Sequence, residues 1–245
     1  MKEKNRKIDI LGIPVDDLTL GDALSVFENL LRGDRLALIA TPNSEILMRA
    51  SGDLVLQDIL QRAELVIPDG IGLLYASKIL GRPLRERVTG IDFAWNALKL
   101  SAQLGCRVYF LGGKPGIAEK AAESMKLQIP GLQIAGTRHG YFTEEEIPSI
   151  VEKINGSDAD FICVALGSPK QEQFIDANRD LLHAKVGIGI GGSLDIWSGT
   201  LKRAPAFYRN NGLEWLYRLK QEPSRIRRIS VLPLFLIKVA AQKRK

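Results

Sequence analysis

The chain has 245 residues and is poor in the side chains that build metal sites and disulfides. It carries two cysteines, Cys106 and Cys163, and two histidines, His139 and His183. Each cysteine lies beside or inside an apolar, strand-like run, and the two have no paired spacing. They read as reduced core thiols of a cytosolic protein. The histidines form no cluster of metal-type spacing, so no His/Cys metal site is expected. No apolar run approaches the ~20 residues of a membrane span. Met1 to Lys7 is charged and lacks an apolar core, so no signal peptide is expected there. There is no internal repeat and no low-complexity segment.

What is present suits one large α/β domain, or one domain with an appendage. The hydrophobic fraction, 45%, is ample for a buried core. The net charge of +6 is uneven. From residue 201 onward, twelve Lys and Arg face only Glu214 and Glu222, a net of +10, while residues 1–200 carry −4. A mildly acidic body with a strongly basic tail points to an anionic surface, membrane or nucleic acid, as the tail's partner.

Strand and helix patterns alternate over the first 195 residues. Strands are expected at Ile8 to Ile13, Leu36 to Ala40, Leu65 to Ile67, Arg107 to Leu111, Leu132 to Gly136, Asp160 to Leu166 and Val186 to Ile190. Helices separate most of them, one opened by Thr19 and Asp22 in a capping-box spacing. Another, acidic, opens at Thr143. Ser168 and Pro169 suit the cap and first position of a further helix. The near-continuous apolar run of Asp160 to Leu166 fits a parallel sheet buried on both faces. The alternation predicts a Rossmann-like, mostly parallel α/β sheet flanked by helices. After Gly199 only helical texture remains. The division expected is a Rossmann-like domain over 1–199 and a basic, amphipathic helical appendage over 200–245, with Pro223 and Pro233 as hinges. The appendage's mixture of Arg/Lys and apolar residues fits a helix lying in a membrane interface.

In such a sheet the strands' C-terminal ends share one edge, where ligands bind. Thr41 and Asn43, Asp69 and Gly70, Gly112 and Gly113, and Gly167, Ser168 and Gln171 all fall at such ends. Asp69 follows a short apolar strand in a Pro-Asp-Gly turn. It reads either as a helix cap or as a carboxylate presented to a ligand. Backbone N–H groups around Gly112 to Gly116 suit a diphosphate. That turn reads Gly-Gly-x-x-Gly and is a poor dinucleotide fingerprint. No Walker A lysine motif occurs, so NAD-dependent redox and P-loop ATPase chemistry are both disfavoured. Arg82, Arg85 and Arg87 share a connector that reads as a solvated charge run, or as a clamp for a phosphate if it folds over the sheet edge.

Five of these motifs occur in order: Thr41-Pro-Asn43, Ile-Pro-Asp69-Gly, Glu-Arg87-Val-Thr-Gly90, Leu-Gly-Gly113-x-Pro-Gly and Gly167-Ser-Pro-Lys-Gln171-Glu. Together they resemble the WecG/TagA/CpsF family of bacterial glycosyltransferases, over about Ile8 to Asp195 and on into a basic tail that most resembles the teichoic-acid branch. The resemblance implies inverting transfer of N-acetylmannosamine from a UDP-sugar donor to the 4-OH of undecaprenyl-diphosphate-linked N-acetylglucosamine, in cell-wall polymer synthesis, with no metal and no cofactor. It implies that Asp69 is the general base and that Arg87 faces the departing diphosphate. It places Thr41, Asn43, Gly70, Gly112, Gly113, Gln171 and Asp195 at the substrates, although for Gln171 a helix-surface role competes. It assigns Arg218, Arg225 and Arg228 to a C-terminal segment that closes over the site at the membrane. Lys238 and residues 243–245 are further cations for lipid. The implied partners are the donor, the lipid-linked acceptor, an anionic membrane surface and a second copy of the chain. The implied location is cytoplasmic, peripheral on the inner face of the bacterial membrane.

Three rival readings stand beside this one. One is a family member using a uronic acid or glucose donor. Another is a basic-tailed nucleic-acid-binding protein, against which the body is acidic and no nucleic-acid motif is recognisable. The third is a non-catalytic binder of nucleotide sugars.

Overall fold

The structure is a computed structural model that describes residues 6–210, 212–221 and 231–244. The first apolar stretch is a hairpin rather than one strand. β1 (Lys7–Ile10) and β2 (Ile13–Asp16) pair antiparallel, with Ile10 opposite Ile13. Leu11 and Gly12 form the turn, both at positive φ, 54° and 85°. That is the backbone sign of the tight turns that match strand twist. A leucine carries no turn signal, which is why the pattern reads as one run.

Six strands then build one parallel sheet in the order β4-β3-β8-β7-β5-β6. They are β3 (Ala37–Ala40), β4 (Leu65–Val66), β5 (Arg107–Gly112), β6 (Gln133–Arg138), β7 (Phe161–Ala165) and β8 (Val186–Gly189). Alternate residues divide between two buried clusters: Leu38, Ile162 and Val164 join one, while Ile39, Phe161 and Cys163 join the other. Both sheet faces are therefore covered, as a parallel sheet requires. The Rossmann-like α/β fold expected from the sequence is present.

The covering helices are α1 (Leu20–Leu30), α2 (Ser44–Ala50), α3 (Leu54–Arg62), α4 (Ile71–Ile79), α5 (Gly90–Leu104), α6 (Ile117–Gln128), α7 (Ile147–Asn155), α8 (Lys170–Ala177) and α9 (Ser193–Trp197). Thr19 and Asp22 cap α1 reciprocally, as their spacing predicts. The acidic helix opens as a 3-10 turn, Glu144–Glu146, held by a capping box between Thr143 and Glu146, and only then becomes α7. Ser168 does not cap α8. Pro169, after a cis Ser168–Pro169 bond, holds the cap position without a side-chain bond.

Among the described residues after the sheet are the helices α10 (Ala206–Asn210), α11 (Glu214–Gln221) and α12 (Val231–Gln242). α12 packs on α2 and α4 and buries Phe235 and Val239 completely. Its far end is pinned to the hairpin: Leu11 N–H donates to Gln242 Oε1 (2.9 Å), and Gln242 Nε2 donates to Asp9 Oδ1 (2.6 Å). Lys238 Nζ donates to Ser51 Oγ (2.7 Å), so this cation is turned toward the body. Pro233 lies in the first turn of α12, where proline is tolerated. Pro223, Arg225 and Arg228 lie outside the described residues, as does the side chain of Arg218. Among the described residues, no helix is long and apolar enough to cross a membrane.

Candidate active site

The C-terminal ends of β3, β4, β7 and β8 open onto one cleft of about 1140 Å³, lined by Thr41, Asn43, Asp69, Gly113, Gln171 and Asp195 among others. This is just above the ~300–1,000 Å³ range of small-molecule sites. A smaller pocket of about 200 Å³ adjoins it, sharing Asn43, Asp69 and Thr89 and adding Gly70, Arg87, Trp215 and Leu232. Asp69 lines both and stands at their junction.

The backbone brings Asp69 there. Ile67 N–H donates to Ala40 C=O (2.8 Å) and Asp69 N–H to Pro42 C=O (3.2 Å), so the β4 exit runs alongside the β3 exit. Gly70, at φ 90°, occupies the N-cap position of α4, with no side-chain cap bond. Asp69 therefore stands one residue before the cap position. Gly72, the second residue of α4, lies so close to its neighbours that a Cβ would sit 2.9 Å from Leu232 Cδ1 and 3.0 Å from Ser44 Cβ.

Thr41 Oγ1 donates to Gly189 C=O (3.0 Å), tying the β3 exit to β8. Asn43 caps α2: its Oδ1 accepts from Ile46 N–H (3.0 Å), which leaves its amide nitrogen as the group it can offer a ligand. Gln171 is not on a helix surface. It is buried, and its Oε1 accepts from Gly191 N–H (3.1 Å). The expected backbone cradle at Gly112 to Gly116 is partly committed elsewhere. Gly113 N–H donates to Ala165 C=O (3.2 Å), and Gly112 is buried at the end of β5. Gly113 and Lys114 reach the cleft wall.

The arginine connector does fold over the sheet edge. Arg85 N–H donates to Asp17 Oδ1 (2.9 Å), and its guanidinium pairs with Asp22 (3.0 Å). That anchor carries Arg87 to the smaller pocket, where its Nη2 donates to Arg209 C=O (2.9 Å). Next to it, the Thr89 hydroxyl donates to Asp92 Oδ2 (2.6 Å) and Arg203 Nη2 pairs with Asp92 Oδ1 (2.5 Å). Burial pushes the Asp92 carboxyl up, but the Thr89 and Arg203 hydrogen bonds and the charges of Arg203 and Arg209 outweigh it, and the net shift is downward.

The main cleft is not a cationic funnel: Glu45, Glu144 and Glu214 join Asp69 and Asp195 along it, against Arg49, Lys114 and Lys170. The motif reading misses Glu45, Arg49, Tyr141 and Phe142. Tyr141 and Phe142 stand just past the end of β6, and the available signal was an aromatic pair between a strand and the Thr143 helix start. Arg49 is six residues past Asn43 on the helix that Asn43 caps, and its Nη1 donates to Ser168 C=O (2.8 Å), linking two of the strand exits. Among the described residues, no three His, Cys, Asp or Glu side chains gather as metal ligands.

Comparison with known proteins bears on this geometry. The chain is 38% identical over 208 residues to the N-acetylglucosaminyldiphosphoundecaprenol N-acetyl-beta-D-mannosaminyltransferase of Bacillus spizizenii (strain ATCC 23059 / NRRL B-14472 / W23), an alignment covering 85% of this chain and 80% of that protein. It is 32% identical to the protein of the same name from Staphylococcus aureus (strain MRSA252), covering 100% of this chain and 96% of that one. The profile described as "Glycosyl transferase WecG/TagA/CpsF family" matches residues 8–245, sheet and basic tail alike. The chain belongs to the WecG/TagA/CpsF family of glycosyl transferases.

Proposed function

We propose that this protein transfers N-acetylmannosamine from UDP-N-acetylmannosamine to the 4-OH of undecaprenyl-diphosphate-linked N-acetylglucosamine, with inversion at the anomeric carbon. One observation carries the reading: Asp69 stands where a large polar cleft meets a small, more apolar pocket. The donor occupies the large cleft. The acceptor sugar reaches Asp69 through the small pocket, past Trp215 and Leu232. In a single displacement the acceptor hydroxyl attacks the donor's anomeric carbon, the bond to the β-phosphate oxygen breaks, and Asp69 takes the hydroxyl proton. UDP departs with the bonding electron pair. The names of the relatives, which specify a mannosaminyl transfer and a diphosphoundecaprenol acceptor, support this substrate pair.

The diphosphate needs positive potential, and the acid-rich lining of the cleft makes the source of that charge the main electrostatic question. Arg87, already at the small pocket, supplies part of it. Arg218, Arg225 and Arg228 of the basic tail supply the rest when that segment lies over the site. Thr41, Asn43, Gln171 and Asp195 contact the substrates, and Gly70 and Gly113 let them approach the backbone, whereas Gly112 is buried and serves the close packing of β5 on β7. The protein works on the inner face of the membrane, held by residues 200–245. Exposed Phe207, Trp215, Leu216, Leu234 and Ile237 lie on the helices of that segment and support an interfacial position. Self-association covers part of this apolar surface when lipid is absent.

The test is UDP release with UDP-N-acetylmannosamine, UDP-glucose or a UDP-uronic acid, each with a short-chain prenyl-diphosphate N-acetylglucosamine acceptor. Acceptor-dependent release restricted to the first donor is expected. Preferential use of another donor overturns the sugar assignment, and UDP binding without any turnover overturns the reading as an enzyme.

A further inference from the structure

Behind the cleft lies a buried pair whose second member the motif reading leaves without a role. Gln171 and Glu172, adjacent on α8, are 3% and 2% exposed. Gln171 Nε2 donates to Glu172 Oε1 (2.8 Å), and Gln171 Oε1 accepts from Gly191 N–H (3.1 Å). The amide lies flat against β8: a Cβ at Gly189 would sit 2.7 Å from Gln171 Cδ and 3.0 Å from its Cγ. Thr41 holds the carbonyl of that same Gly189 from the other side.

An amide has two flip states, and they are not equivalent here. In the observed state a donor meets the carboxyl and an acceptor meets the Gly191 N–H. The flipped state sets oxygen against oxygen and N–H against N–H, and loses both bonds. Each partner left unpaired in a buried place costs about 1–3 kcal/mol, so the network selects one state. The remaining Nε2 proton is then the group Gln171 offers to the cleft it lines. A ligand there meets a donor, which suits phosphate or sugar oxygens.

We propose that Glu172 is a positioning residue, whose buried carboxyl fixes the Gln171 amide with its N–H toward the substrate. The inference rests on the reading of the cleft as the UDP-sugar site. The setting of Glu172 agrees with a fixed, structural carboxyl. Its Oε2 is buried without a hydrogen-bond partner. Burial pushes the carboxyl up, against the pull of the Gln171 amide, its own backbone N–H, the Ser168 hydroxyl and the charge of Arg49. Glu172 itself does not line the cleft, so it acts through Gln171.

The experiment compares wild type with Glu172→Gln, Glu172→Leu, Gln171→Ala and the Gln171→Ala/Glu172→Leu double variant. Two readouts are taken: UDP affinity by calorimetry, and exchange protection of the Gln171 side-chain NH₂ by NMR. Glu172→Gln keeps an acceptor oxygen and is expected to retain protection and UDP affinity within about threefold, roughly 0.7 kcal/mol. Glu172→Leu removes it and is expected to lose protection and weaken UDP binding about tenfold, roughly 1.4 kcal/mol. In the Gln171→Ala background the leucine is expected to add less than about a further twofold. If Glu172→Leu does not fold, Gly189→Ala displaces the same amide from the sheet side and is expected to show the same two losses. Unchanged protection in a folded Glu172→Leu, or a glutamine variant as impaired as the leucine, overturns the proposal. So do losses that multiply independently in the double variant. Failure of the wild type to bind UDP, with the protection pattern as expected, overturns the nucleotide reading and supports the clamp.

Discussion

Gly112→Ala is a severe test of how the sheet edge is built. Gly112 ends β5 opposite Ala165 of β7, at φ 133°, a backbone region that L residues rarely adopt. A Cβ there would overlap the Ala165 carbonyl oxygen and lie 2.5 Å from its carbonyl carbon and 2.8 Å from its Cα. These are backbone atoms of a central strand and have no rotamer to escape into. Relief means parting the last rung of the β5–β7 ladder, together with the Gly113 N–H to Ala165 C=O bond. Backbone strain of about 1–3 kcal/mol and one hydrogen bond of about 1 kcal/mol give roughly 2–4 kcal/mol. For a chain of this size that is a fall in Tm of roughly 5–15 °C. Gly113 lies on the cleft wall, so a shift of about 1 Å also costs on the order of 100-fold in turnover. Gly116→Ala is the control. Its φ is also positive, 83°, but a Cβ there meets nothing within 4 Å, so only the conformational cost, about 1 kcal/mol, applies. Differential scanning fluorimetry beside a UDP-release assay reads both effects. A Gly112→Ala variant melting within about 2 °C of wild type, or one no worse than Gly116→Ala, contradicts the close packing of β5 on β7 at this position.

Further predictions concern the tail and its root. Phe235→Ala removes the fully buried anchor of α12 and is expected to cost about 3–5 kcal/mol in urea unfolding, with earlier proteolytic loss of the C-terminal helix; equal resistance to protease contradicts this. The Asp92 carboxyl has its folded-state value lowered, so its contribution to stability is present above the ordinary carboxylate value of 3.8 and is lost as pH falls through the folded value. Asp92→Asn is accordingly expected to be less stable than wild type at neutral pH and to converge with it in acid; a gap that widens in acid contradicts the assignment. Arg87→Ala and Arg218→Ala are both expected to lose transfer, read as UDP release. Loss in the first alone refutes closure of the tail over the site.

The sheet was legible because its strands are short apolar runs ending in Gly, Pro, Asn and Asp. Seven strand positions were expected and eight strands occur among the described residues, the difference being the Leu11–Gly12 turn, where a leucine takes a conformation that its identity does not advertise. The cleft was legible for the same reason, since a parallel sheet collects its exits on one edge. What was not legible depends on contacts far apart in sequence. Arg49 reaches Ser168 across 119 residues, and Gln242 reaches Asp9 across 233. Packing of the tail on the body could be read from its apolar residues at Trp215, Leu216 and Leu219, but nothing in its mixture of basic and apolar residues singled out Phe235 and Val239, which α12 buries in the main core. Ser168 looked like a cap because its residue type favours one, yet Pro169 takes the position.

The proposed transfer turns on Asp69 taking a proton from the acceptor hydroxyl. The most direct measurement is acceptor-dependent UDP release from UDP-N-acetylmannosamine, wild type beside Asp69→Asn, with chelator present and folding checked by thermal melting. Asparagine keeps the size of the side chain and removes its basicity, so a loss of about 10²–10⁴-fold in turnover with unchanged UDP affinity is expected. Full turnover by a folded Asp69→Asn would make the Pro-Asp-Gly turn scaffold and move the base elsewhere in the cleft.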